Sequence, residues 1–147
     1  MKEQGLVQNV FTLSFNVTGM DFTTAGEAAA KIKTTLQQIG IAPGIIRRTV
    51  VVAYEAELNI VIHAYKGTLK SFIAPDSIEM VAEDEGPGIL DIALAMQEGY
   101  STAPEHIRQM GFGAGMGLPN IQKCADELDI RSEVGKGTRL KAVIYYK

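Results

Sequence analysis

Residues 11–17, FTLSFNV, alternate without a break: Phe11, Leu13, Phe15 and Val17 on one side, Thr12, Ser14 and Asn16 on the other. A period of two makes a strand with one apolar face, and that face has to be covered. The cover follows in the chain. TTAGEAAAKIKTTLQQIG (23–40) reads as a helix, with Thr24 and Glu27 spaced as a capping box and Gly40 as its stop. A short Pro43–Gly44 turn leads to 47–65, which reads as a long, largely buried helix ending near Gly67. Two strand-like runs, 69–74 and 77–84, are joined by the turn residues Pro75 and Asp76. Residues 85–117 hold seven of the 15 glycines and a short helical piece, DIALAMQ. The stretch 118–128 reads as a helix, and 129–147 closes with a strand, a tight turn and a strand.

Strands with one apolar face and helices between them imply an α/β two-layer sandwich, one sheet with helices on one side. The adjacent strands at 69–84 and 129–146 look like hairpins, so the expected sheet is mixed and mostly antiparallel, unlike a doubly wound parallel sheet. At 147 residues the chain suits a single domain, 1–147. A net charge of −3 argues against a nucleic-acid footprint. Its one adjacent basic pair, Arg47–Arg48, reads as a solvated helix edge. The lone Cys124 excludes an intrachain disulfide, and neither His63 nor His106 stands in a zinc-ligand spacing with it. No apolar run approaches membrane-spanning length, and the N-terminus lacks the pattern of a signal peptide. The expectation is an untargeted cytoplasmic domain.

Chemistry is concentrated in three places. Glycine stands at 111, 113, 115 and 117, directly before Leu118 and Pro119 open a helical pattern. Helix N-termini leave N–H groups unpaired and attract anions, so such a loop can cradle a phosphate or can be a flexible surface loop. A Walker loop is absent, since Gly135–Lys136 is followed by Gly137. Met116 occupies the position where a dinucleotide fingerprint starting at Gly111 needs glycine. On the long helix, Glu55 and Asn59 lie four residues apart on a stripe otherwise formed by Val51, Val52, Leu58 and Ile62. Burying an amide unpartnered costs about 1–3 kcal/mol, so the pair either satisfies itself against the fold or borders a polar cavity. Glu57 falls almost opposite on the wheel, where a carboxylate is solvated; His63, one turn beyond Asn59, reads as a packed or edge residue. Finally, Asp84 ends a strand, with Gly86 and Gly88 around Pro87. That is either a plain turn or a place where a flat ligand lies against the backbone, with the carboxylate accepting from the exocyclic 6-amine that adenine carries and guanine, with oxygen at that position, lacks.

In order, the pieces are E-x-x-x-N (55–59), D-x-G-x-G (84–88), G-x-G-x-G-L (113–118) and G-x-G-T (135–138). Together they resemble the GHKL ATPase fold of histidine kinases, gyrase-type ATPases and Hsp90 chaperones. AEDEGPGI, EGYST and GAGMGLPNI are most similar to the small bacterial anti-sigma and stressosome switch serine/threonine kinases. The resemblance implies a GHKL-type ATP-binding kinase domain with an ATP lid at about 90–117. Asn59 would coordinate Mg²⁺ and Glu55 would be the general base toward a serine or threonine hydroxyl or water. Asp84 would accept from the adenine amine within the box that also holds Gly86, with Gly88 giving the ring room and Thr138 completing the contact. Gly113, Gly115, Gly117 and Leu118 would present N–H groups to the phosphates.

The segment APEHIRQMGF makes this lid longer than that of the switch kinase, and its Thr102–Glu105 spacing suits a helical turn. Some relatives place an arginine close to the glycines to touch the γ-phosphate; by that resemblance Arg108 is the candidate here, at a different offset, and Lys123 reads as solvated. The implied activity is Mg-ATP-dependent phosphorylation of a partner protein, a STAS-domain antagonist, with a sigma factor as a further partner and a homodimer as in anti-sigma relatives. The alternative is an ATP-gated binding module with little or no turnover.

Overall fold

The alternation of residues 11–17 does form a strand, β1 (Phe11–Thr18), whose apolar side becomes more buried along its length until Val17 is enclosed. The chain is described by a computed structural model over residues 10–98 and 117–146. Four further strands complete the sheet: β2 (Lys66–Ile73), β3 (Ser77–Glu85), β4 (Glu127–Glu133) and β5 (Gly137–Tyr145). Their order is β1-β2-β3-β5-β4. Every pairing is antiparallel, so the expected mixed sheet has no parallel neighbour among the described residues. Register aligns Phe15, Leu69, Ala82, Leu140 and Ile130 in one row across the sheet, and Leu13, Ser71, Met80, Ala142 and Leu128 in the next. These rows form the core face, as a period of two requires. On the other face Glu79 pairs with Lys141 and Glu83 with Arg139, both exposed contacts of small energetic weight.

Helices cover the core face. Helix α1 (Glu27–Gln38) buries Ala28, Ala29, Ile32 and Leu36, one stripe at helical spacing. It ends as the sequence predicts: Gly40 takes φ 82°, while the N–H groups of Gly40 and Ile41 bond to the carbonyls of Gln37 and Leu36. Its start differs. The N-cap is Gly26 at φ 97°, with no capping side chain from within the segment; the Glu27 N–H bonds to the backbone carbonyl of Thr24. The expected Thr24–Glu27 capping box does not form, because a carboxylate from another helix occupies that role.

That carboxylate is Glu57, on α2 (Pro43–His63). Glu57 is 3% exposed and accepts from the N–H groups of Gly26 (3.0 Å), Ala28 (3.2 Å) and Ala29 (3.1 Å). The solvated reading of Glu57 is therefore corrected. Helix α2 packs on α1, on the sheet and on α4 (Gly117–Cys124), so the side opposite Glu55 meets a helix N-terminus rather than water. An anion there meets the unpaired donors and the positive end of the helix dipole.

Three other expectations shift. Pro43 and Gly44 are not a turn but the first residues of α2, where the missing proline N–H removes no bond. Arg48 is no solvated edge: its Nε donates to the Cys124 carbonyl at 2.9 Å and its Nη2 pairs with Asp126 at 3.0 Å. This ties α2 to the C-terminal end of α4. That helix stops at Cys124, short of the expected 128, and residues 127–128 join β4. Helix α3 (Ile92–Ala95) is the short piece read in DIALAMQ, capped by the Asp91 carboxylate, which accepts from the Leu94 N–H at 3.0 Å.

Candidate functional site

Glu55, Asn59 and His63 recur every four residues on α2, and all three line one cavity of about 630 Å³. The same cavity is bordered by Asp84, Gly88, Gly117, Leu118 and Thr138, so each of the four sequence boxes contributes to its wall. Apolar side chains, among them Ile60, Ala82, Ile130 and Leu140, fill the wall between the polar groups. An apolar cleft with a few convergent polar groups is the usual form of a small-molecule site.

At one end stands Asp84, near the end of β3. The Thr138 N–H donates to its Oδ1 at 3.1 Å. Glycines flank it on both neighbouring strands. A methyl at Gly67 would sit 3.0 Å from the Asp84 Cβ, and one at Gly137 would sit 3.1 Å from Oδ1. Burial pushes the Asp84 carboxyl above its ordinary value, opposed by the Thr138 hydrogen bond. Ser132 joins the neighbouring turns: its Oγ accepts from the Ile89 N–H at 2.7 Å, donates to the Gly137 carbonyl at 3.1 Å and lies 2.8 Å from Thr138 Oγ1. Gly88 has φ 78°, and a methyl there would meet the Glu133 carbonyl oxygen at 2.6 Å. The fold itself therefore requires glycine at 88, whatever lies in the cavity.

At the other end, Gly117 opens α4 directly over the polar pair of α2. A methyl on it would lie 3.3 Å from Asn59 Oδ1 and 3.4 Å from Glu55 Oε1. Asn120, one turn into α4, donates through Nδ2 to Glu55 Oε2 at 3.1 Å. His63 is exposed at the end of α2, an edge residue as read; the protein on one side of its ring lowers its pKa from the usual imidazole value. Carboxylates of Glu55, Asp84 and Asp91 all border the cavity.

Gly86 is not part of the lining. It is buried against Ala64, whose Cα would lie 2.9 Å from an added methyl, so it serves the packing behind the wall. Arg108, Gly113, Gly115 and the Thr102–Glu105 spacing lie outside the described residues, as does most of the lid expected at 90–117. Lys123 is exposed, as read, and pairs with Glu98 at 2.7 Å. Sequence reading missed Asn120, Ser132 and Gly67. Asn120 and Ser132 stand close to recognised boxes, LPN and SEVGKGT, which is the signal that could have found them.

Could the site hold a magnesium ion? Among the described residues no three His, Cys, Asp or Glu side chains cluster to form a metal cage. Mg²⁺ does not need one, since it binds through one or two protein oxygens with phosphates and water completing its shell. The Asn59 carboxamide oxygen, beside the Glu55 carboxylate under Gly117, fits that requirement as the protein oxygen.

Comparison with known proteins places this geometry. The sequence model of the family described as "Histidine kinase-like ATPase domain" matches residues 20–144. The anti-sigma F factor of Thermoanaerobacter sp. (strain X514) is 35% identical over 128 residues, covering 84% of this chain and 81% of that protein. The serine/threonine-protein kinase RsbT of Bacillus subtilis (strain 168) is 34% identical over 93 residues, covering 60% of this chain and 64% of the kinase. A chain in the crystal structure of the SiaB-SiaC complex from Pseudomonas aeruginosa superposes with a TM-score of 0.64 over 94% of this chain and 92% of that one, at 16% identity, a likeness of fold. Among the described residues no helix is long and apolar enough to cross a membrane.

Proposed function

The chain belongs to the histidine kinase-like ATPase family, and from that premise we propose that it is an anti-sigma-type ATP-binding regulator that phosphorylates a serine or threonine of a partner protein. The observation that carries this reading is the convergence of all four boxes on one cavity. Phosphoryl transfer asks a protein chiefly for positioning and for neutralisation of charge, and the two ends of the cavity divide that work.

In this reading adenine lies at the Asp84 end, its amine donating to the carboxylate oxygen that the Thr138 N–H leaves open. Thr138, held by Ser132, completes the base contact. The triphosphate runs toward Gly117, where N–H groups at the start of α4, with those of Gly113 and Gly115, donate to phosphate oxygens. Arg108 adds a charge at the γ-phosphate. Asn59 would hold Mg²⁺, which when bound would offset the charge of the phosphate oxygens. Glu55 takes the proton of the attacking serine or threonine hydroxyl through the oxygen not engaged by Asn120. The partner is a STAS-domain antagonist, with a sigma factor as a second ligand and a homodimer as the working assembly.

The test is incubation of the protein with γ-labelled Mg-ATP and STAS-domain proteins. Label is expected on a serine or threonine of one of them, and its loss is expected in Glu55→Ala. If Glu55→Ala still switches partner binding with ATP, and the wild type transfers no label, the protein is an ATP-gated binding module instead.

A further inference from the structure

Glu55 carries a carboxylate whose last torsion is broad and nearly two-fold, so its own backbone does not decide which oxygen faces the cavity. Something else has to. Asn120 Nδ2 donates to Oε2 at 3.1 Å, while Oε1 stays on the side of Gly117 and Asn59. Asn120 is well held for that purpose. Its neighbours Pro119 and Ile121 are both buried, which fixes the rotation of α4 and aims position 120 at α2. The far end of α4 is held by Arg48 through the Cys124 carbonyl. An amide suits the task better than a cation would: it orients the carboxylate without adding an opposing full charge.

We infer that Asn120 is a positioning residue for Glu55, fixing one carboxylate oxygen so that the other is presented to the reacting hydroxyl. The inference rests on the reading of Glu55 as general base. It adds a coupling that the four boxes do not contain.

The experiment uses the full chain and compares wild type, Asn120→Leu, Asn120→Asp, Glu55→Gln and the Asn120→Leu/Glu55→Gln pair. Two quantities are read: the midpoint for Mg-ATP binding, from ligand-dependent thermal unfolding, and the rate of ADP formation in excess Mg-ATP with the STAS-domain proteins of the labelling test present. Asn120→Leu is expected to leave the binding midpoint within about three-fold and to slow ADP formation roughly 10–100-fold, within the range of general-base catalysis. In the Glu55→Gln background the same change is expected to slow it no further, because residues acting as a unit are not additive. Asn120→Asp sets a second carboxylate against the first; its rate relative to wild type should rise as pH falls from 8 to 6, since a shared proton relieves the repulsion. That near-isosteric variant also guards against misfolding of Asn120→Leu.

An equal slowing by Asn120→Leu with and without Glu55 would overturn the inference, as would a pH-independent ratio for Asn120→Asp. If instead Glu55→Gln matches wild type in rate while ATP still binds, the base reading itself has failed and takes the inference with it. A wild type that binds Mg-ATP and forms no ADP has the same consequence.

Discussion

Glu55 and Glu57 stand two positions apart on the same helix and are used in opposite ways. Glu57 is enclosed, with three backbone N–H groups of α1 directed at its two oxygens. Glu55 is half-buried on a cavity wall, with one amide at one oxygen and the other oxygen facing the cavity. A carboxylate with both oxygens engaged inside the protein is structure. One left partly unengaged beside a polar cleft is available for chemistry. The contrast teaches that composition along a helix says little about role; what lies across from each face decides it.

The widest test of that contrast is stability. Glu57→Ala strips the acceptor from three N–H groups and should cost at least about 3 kcal/mol, or roughly 10 °C in Tm by thermal unfolding. Glu55→Ala should cost under about 1 kcal/mol, because water from the cavity can replace the Asn120 contact. Equal losses at the two positions would break the comparison. Next in size, Ser132→Ala removes the oxygen that joins Ile89, Gly137 and Thr138. A loss of about 1–2 kcal/mol is expected, with ATP affinity weakened several-fold at an unchanged turnover rate.

Asp84 sharpens the point from the other side, since it is a group that costs the ligand-free fold stability. Its folded pKa is raised by burial, so between the unfolded carboxylate value and that raised value the native state binds more protons than the unfolded chain. Stability of the ligand-free protein from this group therefore falls as pH rises through that window, and the cost is complete above it. Asp84→Asn should raise the Tm of the ligand-free protein at pH 7–8, and the gain should fade toward pH 4. The smallest effect belongs to the core of the sheet. Ser71 Oγ is fully buried with no hydrogen-bond partner among the described residues. Ser71→Ala should be neutral or stabilising by up to about 1 kcal/mol in denaturant unfolding.

Much of the fold was legible in the sequence, because the strands of the sheet carry a period of two and the α1 stripe a period near 3.6. The four boxes were legible because glycine and acidic residues at fixed spacings are seldom placed by packing alone. What escaped depends on a second element. The wheel of α2 put Glu57 opposite Glu55 correctly, yet nothing local says that the opposite side meets α1. Pro43–Gly44 has the composition of a turn and the geometry of a helix start, and the two share the same proline φ. Asn120 reaches Glu55 across 65 positions, a distance at which spacing carries no signal. Gly88 was read for a ligand, while the backbone of Glu133 already demands it.

The proposed ATP site is the cavity between α2, β3 and α4, read at one end by Asp84. Thermal unfolding of wild type and Asp84→Asn, each with and without Mg-ATP, tests it most directly. Ligand at about 100 times its dissociation constant adds roughly 2.7 kcal/mol, or on the order of 5–10 °C. That rise is expected for wild type and its loss in Asp84→Asn; no rise in the wild type, or an equal rise in both proteins, would rule out an ATP site read by Asp84.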